Sequence, residues 1–218
     1  MPMHVGIIGA GNIGSNVARR LALAGHHITV SFARDQAKLA ALAAETGATA
    51  GEPARAAAAE VVVLSVPWGV IDTALAAAGP LTGRIVVDTT NQFGPGGVLD
   101  LGHTAARHNA DRLPGARYTK CFNTLTAGFQ AQAASRTGHA RVVQWICGDD
   151  DQAKAVVGRL VKDAGYVPVD LGGIDHCAVM EAPRRPGAVY GEEYRADQAV
   201  AIVAAVRAGR PIPPTPRY

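Results

Sequence analysis

An apolar run, His4 to Ile8, meets Gly9-Ala10-Gly11-Asn12-Ile13-Gly14 and passes at once into helical spacing at Ile13, Val17, Leu21 and Ala24. GxGxxG alone is a weak motif, but here it follows a strand, opens a helix and stands at the head of a βαβ pattern, the context that makes it a phosphate-binding turn. Gly9 permits the tight turn, Gly11 lets a pyrophosphate approach the backbone, and Gly14 allows helix to pack on strand. The phosphates of a dinucleotide then meet the positive helix N-terminus. A merely structural turn is the weaker reading in this context.

The rest of the chain repeats the theme. Runs at His4–Ile8, His27–Phe32, Val61–Val66, Arg84–Asp88, Arg117–Phe122, Val142–Cys147 and Tyr166–Asp170 are mostly continuous apolar stretches, the pattern of strands covered on both faces. Helical patterns lie between them: Asp35 N-caps a segment to Glu45 that stops at Gly47, Asp150–Ala164 places Ala153, Val157 and Leu160 on one face, and Asp197–Ala208 closes the pattern. This alternation predicts an α/β fold with a doubly wound, mostly parallel sheet. Asn91–Gly115, rich in glycine, reads as a long surface connection, and Gly172–Tyr194 as irregular chain.

Composition removes other classes. In 218 residues, 48% are hydrophobic and 18% charged, with no apolar run long enough to cross a bilayer, so a membrane span and a disordered chain are both disfavoured. Met1 to His4 leads straight into a strand with no visible secretory signal, which makes the cytoplasm the expected compartment. Cys121, Cys147 and Cys177 are too widely spaced for a zinc or redox motif and are expected to be small buried hydrophobes. No metal site is expected. A net charge of +3 without a basic run argues against nucleic acid. There is no GxSxG elbow, HExxH or Cys/His nucleophile pair, so hydrolysis and metal chemistry are unsupported.

The strand ends define the rest of the ligand path, because an open α/β sheet binds ligands at the carboxyl ends of its strands. An acidic residue about 20 residues after the turn would grip the ribose 2′-hydroxyl of NAD. Instead the second strand ends Ser31-Phe32-Ala33-Arg34, with Lys38 one turn on, a hydroxyl and cations where a 2′-phosphate would sit, so NADP is preferred. The competing reading makes Arg34 a solvated residue beside Asp35. Ser65, Val66, Pro67 and Asn91 should line the cofactor path; Trp68 either stacks on a ring or is a partly buried loop aromatic.

Gly9 to Gly14, Ser31 to Arg34, Ser65-Val66-Pro67-Trp68, Asp88 to Asn91, Lys120-Cys121-Phe122-Asn123-Thr124 and Gly148-Asp149-Asp150, in that order, resemble the F420:NADP oxidoreductase family, NADPH-dependent reductases of the deazaflavin coenzyme F420. The resemblance extends from Met3 to about Gly172. It implies an NADP-binding Rossmann domain (1–124, with Asn123 joining the cofactor site), a small C-terminal α/β domain for substrate and dimerisation (125–218), a homodimer, and hydride transfer between the nicotinamide and the deazaflavin. Asp175 to Tyr218 departs from the deazaflavin-binding members.

Hydride transfer between two rings needs alignment and exclusion of water more than an acid. A ketone or imine acceptor would need a proton donor. Lys120, His176, Glu181, Tyr190 and Tyr194 are candidates, Lys120 foremost, although a lysine snorkelling at a strand end is the commoner case. Met180 to Tyr190, with Arg184 and Arg185 on a Pro/Gly backbone, either clamps an acidic substrate or forms a dimer arm. His26 and His27 are expected at the surface or in a turn. The rivals to a deazaflavin reductase are an NADPH-dependent reductase of a flavin, ketone or imine, and a non-catalytic module that senses NADPH.

Overall fold

Val61–Leu64 is buried at every position: Val61 and Val63 face one apolar cluster, Val62 and Leu64 the other. A strand with two apolar faces has to sit between two layers of helices, and the rest of the fold supplies them. The computed structural model describes residues 1–32 and 35–214. In order they form β1 (His4–Ile8), α1 (Asn12–Leu23), β2 (His27–Ser31), α2 (Gln36–Thr46), β3 (Thr49–Ala50), α3 (Pro53–Ala57), β4 (Val61–Leu64), α4 (Ile71–Ala78), β5 (Ile85–Asp88), β6 (Phe93–Gly94), β7 (Gly97–Val98), α5 (Ala105–Asp111), β8 (Arg117–Lys120), α6 (Ala127–Ala133), β9 (Val143–Cys147), α7 (Asp151–Asp163), β10 (Val167–Gly172) and α8 (Ala196–Arg207).

Eight strands make one sheet in the order β10-β9-β8-β5-β4-β1-β2-β3. All pairs are parallel except β8 with β9, which meet antiparallel at Lys120 and Cys147. Helices α1, α2, α6 and α7 cover one face, burying Val17, Leu21, Leu39, Leu42, Val157 and Leu160. Helices α3, α4, α5 and α8, with a 3₁₀ turn at Ile174–Met180, cover the other. This is the doubly wound, mostly parallel Rossmann-type sheet the alternation predicts. The sheet does not end at residue 124, since β9 and β10 extend it on the far side of β8.

The order of strand addition reverses at β1: β2 and β3 lie to one side, β4 and β5 to the other. The crevice beyond the carboxyl ends of β1 and β4 is therefore the switch point where such sheets bind ligands.

The structure departs from the sequence reading in three places. Asn91–Gly115 is not a bare surface connection: it holds the β6–β7 hairpin and α5, whose Ala105, Ala106 and Asn109 are buried. The short edge strand β3 was not foreseen. His26 is buried, with Nδ1 accepting from the Met3 amide at 3.1 Å and Nε2 3.2 Å from Asp163, while His27 is exposed at the start of β2. The three cysteines are free and buried, as small apolar residues would be.

Candidate functional site

The turn between β1 and α1 is built by its glycines. Gly9 adopts φ +106°, and a Cβ there would lie 2.2 Å from the Ser65 carbonyl oxygen. A Cβ on Gly14 would lie 2.1 Å from the Gly9 oxygen, so α1 can approach the strand this closely only without a side chain. Gly11 differs from both: nothing stands within 4 Å of where its Cβ would be, so the space in front of the turn is open. Helix α1 has no side-chain cap and no acidic residue in its first turn. Its free amides and positive dipole end are thus directed into that open space, an arrangement that favours an anion.

From this turn a cleft of about 660 Å³ runs across the strand ends, within the range of cofactor sites. Its wall begins at Gly11, Asn12 and Ile13, continues through Ser65, Val66, Pro67 and Trp68 after β4 and Thr89, Thr90 and Asn91 after β5, and passes Phe122 to Ala127 after β8. Phe93 from the hairpin and Arg184, Tyr190 and Gly191 from the C-terminal segment complete it. Two polar atoms of this wall residues' set, Asn123 Oδ1 and Thr124 Oγ1, are buried with no hydrogen-bond partner among the described residues. Buried polar atoms are ordinarily satisfied, so this pair marks where a ligand with polar edges fits. The bare α1 N-terminus and the open approach at Gly11 fit the phosphates of the same ligand.

Below the cleft lies a charged cluster sealed from water. Lys120 and Asp88 are both fully buried, and Lys120 Nζ donates to Asp88 Oδ2 at 3.2 Å and to the Thr90 carbonyl at 2.9 Å. The Tyr118 hydroxyl and Asn109 amide also donate to Asp88, at 2.5 and 2.9 Å, and the Thr90 amide donates at 2.8 Å. Glu181 lies 3.8 Å from Lys120 and accepts the Ala105 and Ala106 amides at 2.9 and 2.7 Å, which caps α5. Burial opposes the charged Lys120 amine, but Asp88 and then Glu181 outweigh it and hold the amine above its usual pKa. Burial likewise opposes the Asp88 carboxylate, yet Lys120, Asn109, Tyr118 and the Thr90 amide together bring it below the usual range.

The segment Met180 to Gly191 is a strap fastened by its main chain. Asn123 Nδ2 donates to the Met180 carbonyl at 2.6 Å, the Ala182 amide donates to Asn91 Oδ1 at 3.3 Å, and Gln92 Nε2 donates to the Ala182 carbonyl at 3.2 Å. Farther along, the Val189 and Gly191 amides donate to the Val179 and Thr124 carbonyls, both at 2.7 Å. The strap therefore lies over the cleft of its own chain.

Of the sequence-predicted residues, Gly11, Asn12, Ile13, Ser65, Val66, Pro67, Trp68, Asn91 and Asn123 line the cleft, while Gly9, Ala10 and Gly14 shape the turn behind it. Trp68 is largely buried, its ring 5.6 Å from that of His108 and 5.2 Å below the Arg112 guanidinium, so only part of it meets the cleft. Ser31 is corrected: it is fully buried and its hydroxyl donates to the Ile7 carbonyl of the neighbouring β1 at 3.1 Å, because the last residue of β2 turns its side chain back onto the sheet. Phe32 is half-buried at φ +54°, and Lys38 is exposed 3.9 Å from Asp35. Ala33 and Arg34 lie outside the described residues.

Lys120, the foremost acid candidate, is neither snorkelling nor in the cleft wall; two buried carboxylates hold it beneath the floor. Glu181 is committed to α5, and Tyr194 is buried edge-on against Trp145. Among these candidates Tyr190 lines the cleft, and burial pushes its phenol pKa up. The sequence reading quoted Thr89, Thr90, Phe122 and Thr124 only inside the motifs that carry the resemblance, without a place in the cofactor site, and it missed Thr126. Their signal was positional, one or two residues around strand ends already singled out.

Residues 4–92 match the family model described as NADP oxidoreductase, coenzyme F420-dependent. Among solved structures, the protein SMa0349 of Sinorhizobium meliloti is 29% identical with a TM-score of 0.79, covering 89% of this chain and 96% of that one. A protein of Arthrobacter sp. FB24, named for F420-dependent NADP reduction, is 28% identical with a TM-score of 0.69, covering 79% and 86%. Among curated proteins, the metalloreductase STEAP3 of Rattus norvegicus is 28% identical over 180 residues, 82% of this chain. The chain spans 36% of the length of that relative.

Proposed function

We propose, from the match of residues 4–92 to the model of coenzyme F420-dependent NADP oxidoreductases, that this chain passes hydride between NADPH and a deazaflavin-like acceptor such as coenzyme F420. The observation that carries the reading is the continuity of one cleft, from the bare N-terminus of α1 at Gly11 to the unpartnered Asn123 Oδ1 and Thr124 Oγ1. NADPH, when bound, supplies the hydride at its nicotinamide ring. The amides of Asn12 and Ile13 would hold its pyrophosphate, and the sequence after β2, with Arg34 and Lys38, supplies cations for a 2′-phosphate. Asn123 and Thr124 offer hydrogen bonds to the polar edge of the reacting ring. Val66, Pro67, Phe122 and Leu125 keep water from the transfer path. The C-terminal part, 125–218, supplies the strap that faces the acceptor. A homodimer in the cytoplasm is part of the same proposal.

Side-by-side titrations with NADPH and NADH test the first half. NADPH is expected to bind at least tenfold more tightly, with the preference lost in Arg34→Ala. Equal affinities would overturn the NADP assignment. Mixing the protein with NADPH and oxidised coenzyme F420 tests the second half through bleaching of the deazaflavin absorbance.

One observation favours a second reading. The Tyr190 phenol lines the cleft, where its hydroxyl is a proton donor for a ketone or imine. Turnover of such substrates, with loss in Tyr190→Phe and no deazaflavin bleaching, would select it.

A further inference from the structure

The adjacent arginines of the strap have separate fates. Arg185 is turned back onto its own segment, donating to the carbonyls of Glu181 and Pro183 at 2.9 Å and to that of Ala178. It staples the strap. Arg184 instead joins the wall of the cleft and is the one charged side chain among the described residues that line it. Its stem lies across Gly191: a Cβ at Gly191 would fall 3.2 Å from Arg184 Cγ and Cδ, and Gly191 is itself at φ +78°, a conformation that discourages any side chain. The backbone is thus shaped to let this arginine lie along the strap. Its Nε donates to Glu192 Oε1 at 2.5 Å, and no other hydrogen bond of the guanidinium is found among the described residues. Glu192 is 14% exposed and Arg184 68%. The carboxylate is therefore a sheltered anchor, and the fork of the guanidinium, with donors still open, is left to the cleft.

Around it the wall is aromatic and apolar: Trp68, Phe93, Phe122, Leu125 and Tyr190. A planar ring suits such surfaces, while a single fixed cation at their border suits an acidic substituent on that ring. Arg184 lies across Gly191, whose amide is bonded to the Thr124 carbonyl among the residues that follow β8. That puts it on the strap side of the wall, which under the oxidoreductase reading faces the acceptor.

We propose that Arg184, held in place by Glu192, is the specificity-determining residue that selects electron acceptors bearing a phosphate or carboxylate on a planar ring body. The proposal rests on the oxidoreductase reading, and the test separates the two.

Riboflavin and FMN share one ring and differ by a phosphate, so they isolate the charge. The full-length protein is titrated with each, with and without saturating NADP⁺ to occupy the dinucleotide phosphate sites, and binding is read by flavin fluorescence. FMN is expected to bind about tenfold more tightly than riboflavin, with the preference shrinking as salt rises. Arg184→Gln should erase the preference and leave riboflavin binding in place; Arg184→Lys should keep part of it, since a point charge remains without the fork. Glu192→Gln, which releases the guanidinium, should change FMN binding and leave riboflavin binding unaltered. Equal affinity for the two flavins, no measurable FMN binding, or an equal loss for both in Arg184→Gln would overturn the proposal. Failure of NADPH to bind in its own titration would overturn the oxidoreductase reading while leaving the flavin comparison to decide the role of Arg184.

Discussion

Lys120 and Asp88 face each other across the β5–β8 pair with Nζ 3.2 Å from Oδ2, both fully buried, directly under the floor of the cleft. Removing one member of a buried pair leaves the other charge without compensation, a cost of about 3–5 kcal/mol. Lys120→Met is therefore expected to destabilise the chain by that amount in urea unfolding. A residue acting on substrate would show the opposite pattern, unchanged stability with lost turnover.

The same pair sets a pH window. The Asp88 carboxylate is held below its usual pKa, so the stability it contributes is present above the unfolded value of about 4 and is lost as pH falls through the folded value. The Lys120 amine is held above its usual pKa, so its contribution is present below about 10.4 and is lost as pH rises through the folded value. Thermal midpoints should be nearly flat between those limits and fall outside them, with the acid limb flattened in Asp88→Asn.

Two glycines of the α1 turn should respond oppositely to alanine. At Gly14 the methyl meets the Gly9 carbonyl, and the overpacking should cost about 1–3 kcal/mol of stability. At Gly11 it meets open space, so stability should change by about 1 kcal/mol or less while NADPH affinity falls more than tenfold. Calorimetry together with a dinucleotide titration of both variants checks the contrast.

Glu181 joins the strap to the sheet through two α5 amides and Lys120. Glu181→Ala orphans those amides and should destabilise by about 2–4 kcal/mol. Hydrogen exchange should rise first at Ala105 and Ala106, and the KM for the acceptor should rise more than the Kd for NADPH.

Much of this architecture was legible because continuous apolar runs and helical spacing report burial directly. β1, β4, β5 and β9, and helices α1, α2 and α7, fall within one or two residues of their expected places. Helix α5 was hidden by the glycines of Asn91–Gly115, since its amphipathic stretch is only seven residues and its capping acid, Glu181, lies far along the chain. Ser31 was misplaced because a position at a strand end does not say which way its side chain turns. Lys120 reads as exposed in any sequence; what buries it is the convergence of Asp88 and Glu181, residues the fold alone brings together.

The strap is gripped on main-chain atoms at the Met180 carbonyl, both backbone groups of Ala182, and the Val189 and Gly191 amides, and by two side chains, the Glu181 carboxylate and the Arg185 guanidinium. None of these holds depends on the side chain of Arg184 or Tyr190. The strap can thus exchange Arg184 or Tyr190 for other residues and still settle over the cleft in the same place, so that one dinucleotide cradle can be fitted with different acceptor walls by changing a few exposed letters.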